Sequence, residues 1–160
     1  SNLSVIKGYQ LLNFMKFRQF ASIVFLSLLA MTQYAQAQSA DDIVGPWFNT
    51  EKTAKIEIQK EGSVYVGKII WLKNPTPDGT PATDKNNSDP KLRSRPLIGL
   101  NLLKGLKYEK GVWKDGDIYD PNSGKTYSCE LKLLSPKVLQ VKGFLGFSFV
   151  GKTVEWTRAK

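Results

Sequence analysis

Apolar and polar residues alternate with a period of two through most of the chain beyond residue 50, a pattern that suits a half-buried strand and not a helix. Ala54, Ile56 and Ile58 fall on one face of an extended segment, with Lys55, Glu57 and Gln59 on the other. After a turn at Glu61-Gly62, the run Val64 to Lys73 is β-branched and aromatic, and apolar on both faces. Tyr127, Cys129, Leu131 and Leu133 share one face, opposite Thr126, Ser128, Glu130 and Lys132. Lys137 to Phe144 and Lys152 to Arg158 read as two more strands, joined through Gly143 and Gly146. Gly116, Pro121-Asn122-Ser123-Gly124 and Ser135-Pro136 punctuate as hairpin turns. Only Leu97 to Leu106 hints at a helix, a short one weakened by Gly99 and Gly105. The pattern therefore predicts an all-β domain of about seven or eight short antiparallel strands, either a small barrel or a sandwich.

The two ends of this region favour the barrel. Gly45-Pro46-Trp47 opens the first strand, and the last closes with Val154, Trp156 and Arg158 alternating onto one face. If that face points inward, the Arg158 guanidinium can lie over the Trp47 indole. A cation–π contact of roughly 0.5–2 kcal/mol would then tie first strand to last, and closure removes exposed sheet edges. Trp47, Trp156 and Arg158 are thus the expected closure residues. A G-x-W start with a C-terminal Arg resembles the lipocalin and calycin barrels, whose Trp and Arg meet in this way.

The N-terminal part reads differently. Met15-Lys16-Phe17-Arg18 is a short basic lead, Phe20 to Met31 is 12 residues without a charge, and Gln33-Tyr34-Ala35-Gln36-Ala37 has small residues where a signal peptidase cuts. The apolar run falls short of the roughly 20 residues needed to span a bilayer. Residues 15–37 are therefore expected to be a cleavable, helical signal peptide, with a cut after Ala37 and export to the periplasm. Residues 1–14 precede the better initiator Met15 and are read as an extension, which leaves 38–160 as a single domain with no membrane span.

Charge and composition narrow the chemistry. Beyond residue 37, 20 basic and 14 acidic residues leave a net charge of +6, which favours anionic partners at long range. No run of adjacent basic residues marks a nucleic-acid patch, and export disfavours nucleic acid further. The chain has no His and a single Cys. It therefore lacks the usual general base, the Ser/His/Asp arrangement and a zinc ligand set. Cys129, on an apolar strand face, reads as a small core residue. No cofactor motif is present.

Asn74 to Arg95 holds four prolines and no alternation, and loops this long are usually functional or disordered. Asp84-Lys85-Asn86-Asn87-Ser88-Asp89 has oxygen side chains at calcium-loop positions one, three and five. Position six is Asp89 rather than Gly, and position twelve is Arg95 rather than Glu, so an Asx-rich turn is the better reading.

Taken in order, Gly45-Pro46-Trp47, Gly67-Lys68-Ile69-Ile70-Trp71-Leu72, Asp84 with Asn87 and Asp89-Pro90, Leu92-Arg93-Ser94-Arg95-Pro96-Leu97-Ile98-Gly99, Ile118-Tyr119-Asp120-Pro121-Asn122-Ser123-Gly124-Lys125-Thr126-Tyr127, Val141-Lys142-Gly143 and Trp156-Thr157-Arg158 resemble the bacterial domain of unknown function 2147. The resemblance implies an exported protein, largely of Gram-negative bacteria. It supplies no catalytic residues to carry over.

Physical reading of these motifs gives two site hypotheses. Arg93 and Arg95 alternate on a segment that Pro96 holds extended, so both guanidiniums can face one carboxylate or phosphate. With Trp71, Tyr119 and Tyr127 lining a pocket, they would admit a small amphipathic or anionic molecule. Alternatively, and preferably, Arg93 or Arg95 pairs with Asp84, Asp89 or Asp120 to pin the long loop to the barrel. The expected function is small-molecule binding in the cell envelope. A structural or interaction role through the surface is the alternative, and a hydrolase built on Asp84 or Asp120, with Tyr119 or Lys125 as proton donor, is the least favoured.

Overall fold

In a computed structural model describing residues 37–74, 78–144 and 151–160, the alternating segments become strands. These are β1 (Gly45–Phe48), β2 (Ala54–Glu61), β3 (Val64–Leu72), β4 (Asn101–Glu109), β5 (Val112–Asp120), β6 (Lys125–Ser135), β7 (Val138–Phe144) and β8 (Gly151–Arg158). Each pairs antiparallel with the next, and β8 returns to β1, so the sheet is a closed barrel. Residues 1–14, the apolar run from Phe20 to Met31 and Gly146 lie outside the described residues; Gln38–Lys160 forms one compact unit.

The seam between β1 and β8 is short, pairing only Trp47 with Arg158 and Phe48 with Thr157. Side chains reinforce it. The Arg158 guanidinium carbon lies 4.0 Å from the centre of the Trp47 ring. Its nitrogens donate to the carbonyls of Val44 (2.8 Å), Asp42 (2.5 Å) and Pro136 (3.2 Å). Burial lowers the Arg158 pKa from its ordinary value, with Asp42 pulling the other way.

Those carbonyls belong largely to a segment that seals one end of the barrel. Ser39 caps a 3-10 turn, Ala40–Ile43, through a reciprocal capping box with Asp42. Carbonyls of the turn and of Gln38 before it accept from three buried or half-buried aromatics: Trp47 Nε1 to Ile43 (2.8 Å), Trp113 Nε1 to Ala40 (3.0 Å), and Tyr108 hydroxyl to Gln38 (2.7 Å). The Tyr65 hydroxyl donates to Asp41, and burial followed by that carboxylate pushes the phenol up to about 12. Ile43, Trp47, Ile58, Tyr65, Leu106, Trp113, Leu131 and Leu139 fill this half of the interior. Large aromatics dominate it because few other side chains span a barrel this narrow. The buried indole N–H groups of Trp47 and Trp113 thus each have an acceptor, as desolvation demands.

Gly116 marks no turn but lies inside β5, where a Cβ would fall 2.5 Å from Lys104 O, and two further sequence expectations change. Leu97 to Leu106 holds no helix: from Asn101 onward it is β4. Leu102, Leu103 and Leu106 are all buried, a spacing that resembles a helical face. It arises instead where the β3–β4 register shifts and Gly105 takes φ +70. The second change is Trp71, which strict alternation from Ile69 would point inward. A bulge intervenes, with Ile56 facing Ile69 and its neighbour Lys55 facing Trp71, so Ile70 is the extra residue. Trp71 therefore lies on the outer surface, 37 % exposed, edge-on to Phe48 with centroids 6.1 Å apart. The Lys55 ammonium sits 5.0 Å from the Phe48 ring centre and 5.6 Å from that of Trp71.

Candidate functional site

The half of the barrel opposite the seal is not filled. A cavity of about 540 Å³ opens there, within the range that small-molecule sites occupy. Its walls are Ala54, Ile56, Ile69, Leu72, Leu102, Ile118, Tyr127, Val141, Val154 and Trp156. They come from the inward positions of β2 to β8, near the strand ends away from the seal. The rim is polar: the β1–β2 turn brings Asn49 to Glu51 and Thr53, the β5–β6 turn brings Asp120 to Asn122, and β8 brings Lys152. Lys152, Val154, Trp156 and Arg158 thus descend one face of β8 from mouth to seal. Opposite Lys152 on β7 stands Gly143, which leaves that wall without a side chain.

The long β3–β4 loop forms one margin of the mouth, and its order comes from a single buried carboxylate. Asp84 is fully buried. One of its oxygens accepts from Arg95 Nε and Nη2, both at 2.8 Å, and from Asn87 Nδ2 at 2.7 Å. The other accepts the Tyr119 hydroxyl at 2.5 Å. Burial raises the Asp84 pKa, but these hydrogen bonds and the Arg95 charge outweigh it, so the carboxyl lies below its ordinary value. Tyr119 is pushed up, first by burial and then by Asp84. The backbone follows the same plan: Asp84 N donates to Arg95 O, and Thr83 bridges Pro96. Leu97, just beyond, reaches the cavity wall.

The loop is also bolted to the β5–β6 turn. Asn86 Nδ2 donates to the carbonyls of Pro121 (3.1 Å) and Asn122 (3.0 Å). Gly124, at φ +68, lies so close that a Cβ there would fall 1.9 Å from Asn86 O, so only glycine fits.

Of the residues singled out in the sequence, Tyr119 and Tyr127 line the cavity, together with Asp120 and Trp156. Trp71, Arg93 and Arg95 do not. Trp71 is turned outward by the bulge. Arg93 is not extended: it ends a 3-10 turn, Pro90–Leu92, in a helical conformation, and donates from Nε to Asn87 O at 2.8 Å. Arg95 is held by Asp84. Both guanidiniums are engaged inside the loop, so neither stands at the mouth for an anion. Asp89 caps the 3-10 turn by accepting from Lys91 N (2.9 Å), while Asp120 accepts from Asn122 N (3.0 Å) and Ser123 Oγ (2.8 Å) in its own turn. Among the three aspartates, Asp84 alone carries an ion pair to an arginine.

Sequence reasoning missed the apolar walls and Lys152. The alternation marks these positions as inward-facing, but nothing in it tells which end of the barrel is empty. Among the described residues no cluster of His, Cys, Asp and Glu could hold a metal ion. Cys129 is buried in the wall between strands, and burial pushes its thiol up to about 12.

A family model for uncharacterized proteins conserved in bacteria, DUF2147, matches residues 45–158, from the first strand to Arg158. The chain belongs to this family. Among solved structures, the Helicobacter pylori protein HP1028, described as belonging to the lipocalin family, superposes with a TM-score of 0.63 at 26 % identity. The match covers 74 % of this chain and 83 % of that one. No curated protein matches the chain. The DUF2147 barrel thus has a lipocalin-like fold, with one sealed and one open end.

Proposed function

We propose that this protein binds a small, largely apolar molecule in the open half of the barrel, and that it does so in the cell envelope after export. The observation that carries the reading is the cavity of about 540 Å³ with aliphatic and aromatic walls and a polar rim, inside a barrel whose other half is densely packed. Water held against such walls gains little, so an apolar guest is favoured by the area it removes from solvent, at roughly 25 cal/mol per Å². The seal and the Asp84 loop fix the barrel end and one margin of the mouth through contacts of the chain itself, which lowers the ordering cost of binding. The arrangement of Met15 to Ala37 supports export, and intact mass of the secreted protein should then begin at Gln38.

Native mass spectrometry of protein purified from its own envelope tests the binding reading, together with titration of a neutral fluorescent probe, N-phenylnaphthylamine. Retained small-molecule mass, or saturable probe fluorescence at one site per barrel, is expected. Absence of both would refute it.

A further inference from the structure

We infer that the ligand is an anionic amphiphile, its apolar part in the cavity and its carboxylate or comparable head at the Lys152 ammonium; this rests on the binding reading above. The argument starts from the charged groups at the mouth. Three line it: Glu51, Asp120 and Lys152. Both Asp120 oxygens are occupied by its own turn, at Asn122 N and Ser123 Oγ. Glu51 accepts from Asn49 Nδ2 at 3.2 Å, within the β1–β2 turn. The Lys152 ammonium makes no hydrogen bond or ion pair with any described residue. Every Asp and Glu of the chain is among the described residues, so no carboxylate elsewhere competes for it. Among the described lining residues it is the one cationic group, and its three donors have no partner.

Position reinforces this. Lys152 stands above Val154 and Trp156 on the inward face of β8, so a head group on the ammonium leads directly into apolar wall. Gly143 across from it leaves room for that head. At about 30 Å³ per water-sized group, the cavity has space for on the order of 15 non-hydrogen atoms, the size of a medium-chain carboxylate.

The experiment is competition against N-phenylnaphthylamine by dodecanoate, dodecanol and dodecyltrimethylammonium, below their micelle concentrations, on the full barrel. Dodecanoate is expected to bind about three- to tenfold more tightly than dodecanol, as a partly screened ion pair allows. The ratio should shrink with added salt. Lys152→Met should bring it to about one, Lys152→Arg should keep it, and Lys132→Met, on the outer face of β6, should leave it at the wild-type value. Equal binding of dodecanoate and dodecanol, a preference for the cation, or a preference that survives Lys152→Met would overturn the inference while leaving the cavity reading standing. If the neutral probe and dodecanol both fail to bind, the cavity reading falls and this one with it.

Discussion

Replacing Asp84 with Asn removes one charge and converts one acceptor into a donor at the point where the β3–β4 loop meets the barrel. Four donors converge on the carboxylate: two nitrogens of Arg95, Asn87 Nδ2 and the Tyr119 hydroxyl. An amide can present its oxygen to only one side of that group, so either its NH2 faces the Arg95 and Asn87 donors or the Tyr119 hydroxyl must turn to accept from it, and in both cases the Arg95 charge loses its partner. Asp84 is fully buried while the Arg95 side chain is 32 % exposed, so the cost belongs at the lower end of the range for breaking a buried pair, about 3 kcal/mol. For a domain near this size that corresponds to a melting point lower by about 10 °C. Urea denaturation followed by circular dichroism reads it directly. The double variant Asp84→Asn, Arg95→Met should lose less than the sum of its singles, because neither charge is then stranded. The pH dependence has a defined sign. Asp84 lies below its ordinary value of 3.8 when folded, so its contribution is fully present above that value and fades as the pH falls through the folded-state pKa. Wild type and Asp84→Asn should therefore converge in acid. A loss under about 1 kcal/mol at neutral pH, or a gap that widens in acid, would show that the carboxylate does not hold the loop.

Three further outcomes follow from the geometry. Gly143→Val should fold, since a Cβ there meets Tyr127 Cβ at 3.8 Å and Ile118 Cγ2 at 3.9 Å, but its methyl groups enter the cavity and should weaken probe binding severalfold in the same titration. Arg158→Met should cost about 2–4 kcal/mol by chemical denaturation, from lost hydrogen bonds to Val44 and Asp42 and lost stacking on Trp47, and Arg158→Lys should recover only part of it because an ammonium cannot fork to both carbonyls. Cys129 should remain unmodified by a thiol reagent in native buffer over hours and react fully in denaturant, since its thiol is buried and pushed up to about 12; rapid native labelling would contradict the packing.

The strands were readable because half-burial writes itself as alternation, and β2, β6 and β8 follow it closely. Closure was readable because a Trp and an Arg at opposite ends of an all-β chain have few other reasons to match. The failures sit where the ladder slips. One extra residue at Ile70 turns Trp71 to the outside, and the irregular β3–β4 register makes β4 look helical. Arg93 and Arg95 were readable as a cationic pair, but not as partners of Asn87 and Asp84, because the fold of a long irregular loop depends on which of several nearby acids is buried. The cavity was the least legible feature. Ile56, Ile118, Val141 and Val154 look the same in sequence as Ile58, Leu131 and Leu139, and only the placement of the N-terminal seal decides which set packs and which faces an empty space.

In an eight-stranded meander every second connection returns to the same end. The links between β1 and β2 and between β5 and β6, with the end of the β3–β4 loop, border the opening, while the sealing segment and the C-terminal clamp lie at the far pole. Selection, or a protein engineer, can therefore rewrite the turns around the mouth one at a time without disturbing the machinery that keeps the cylinder shut.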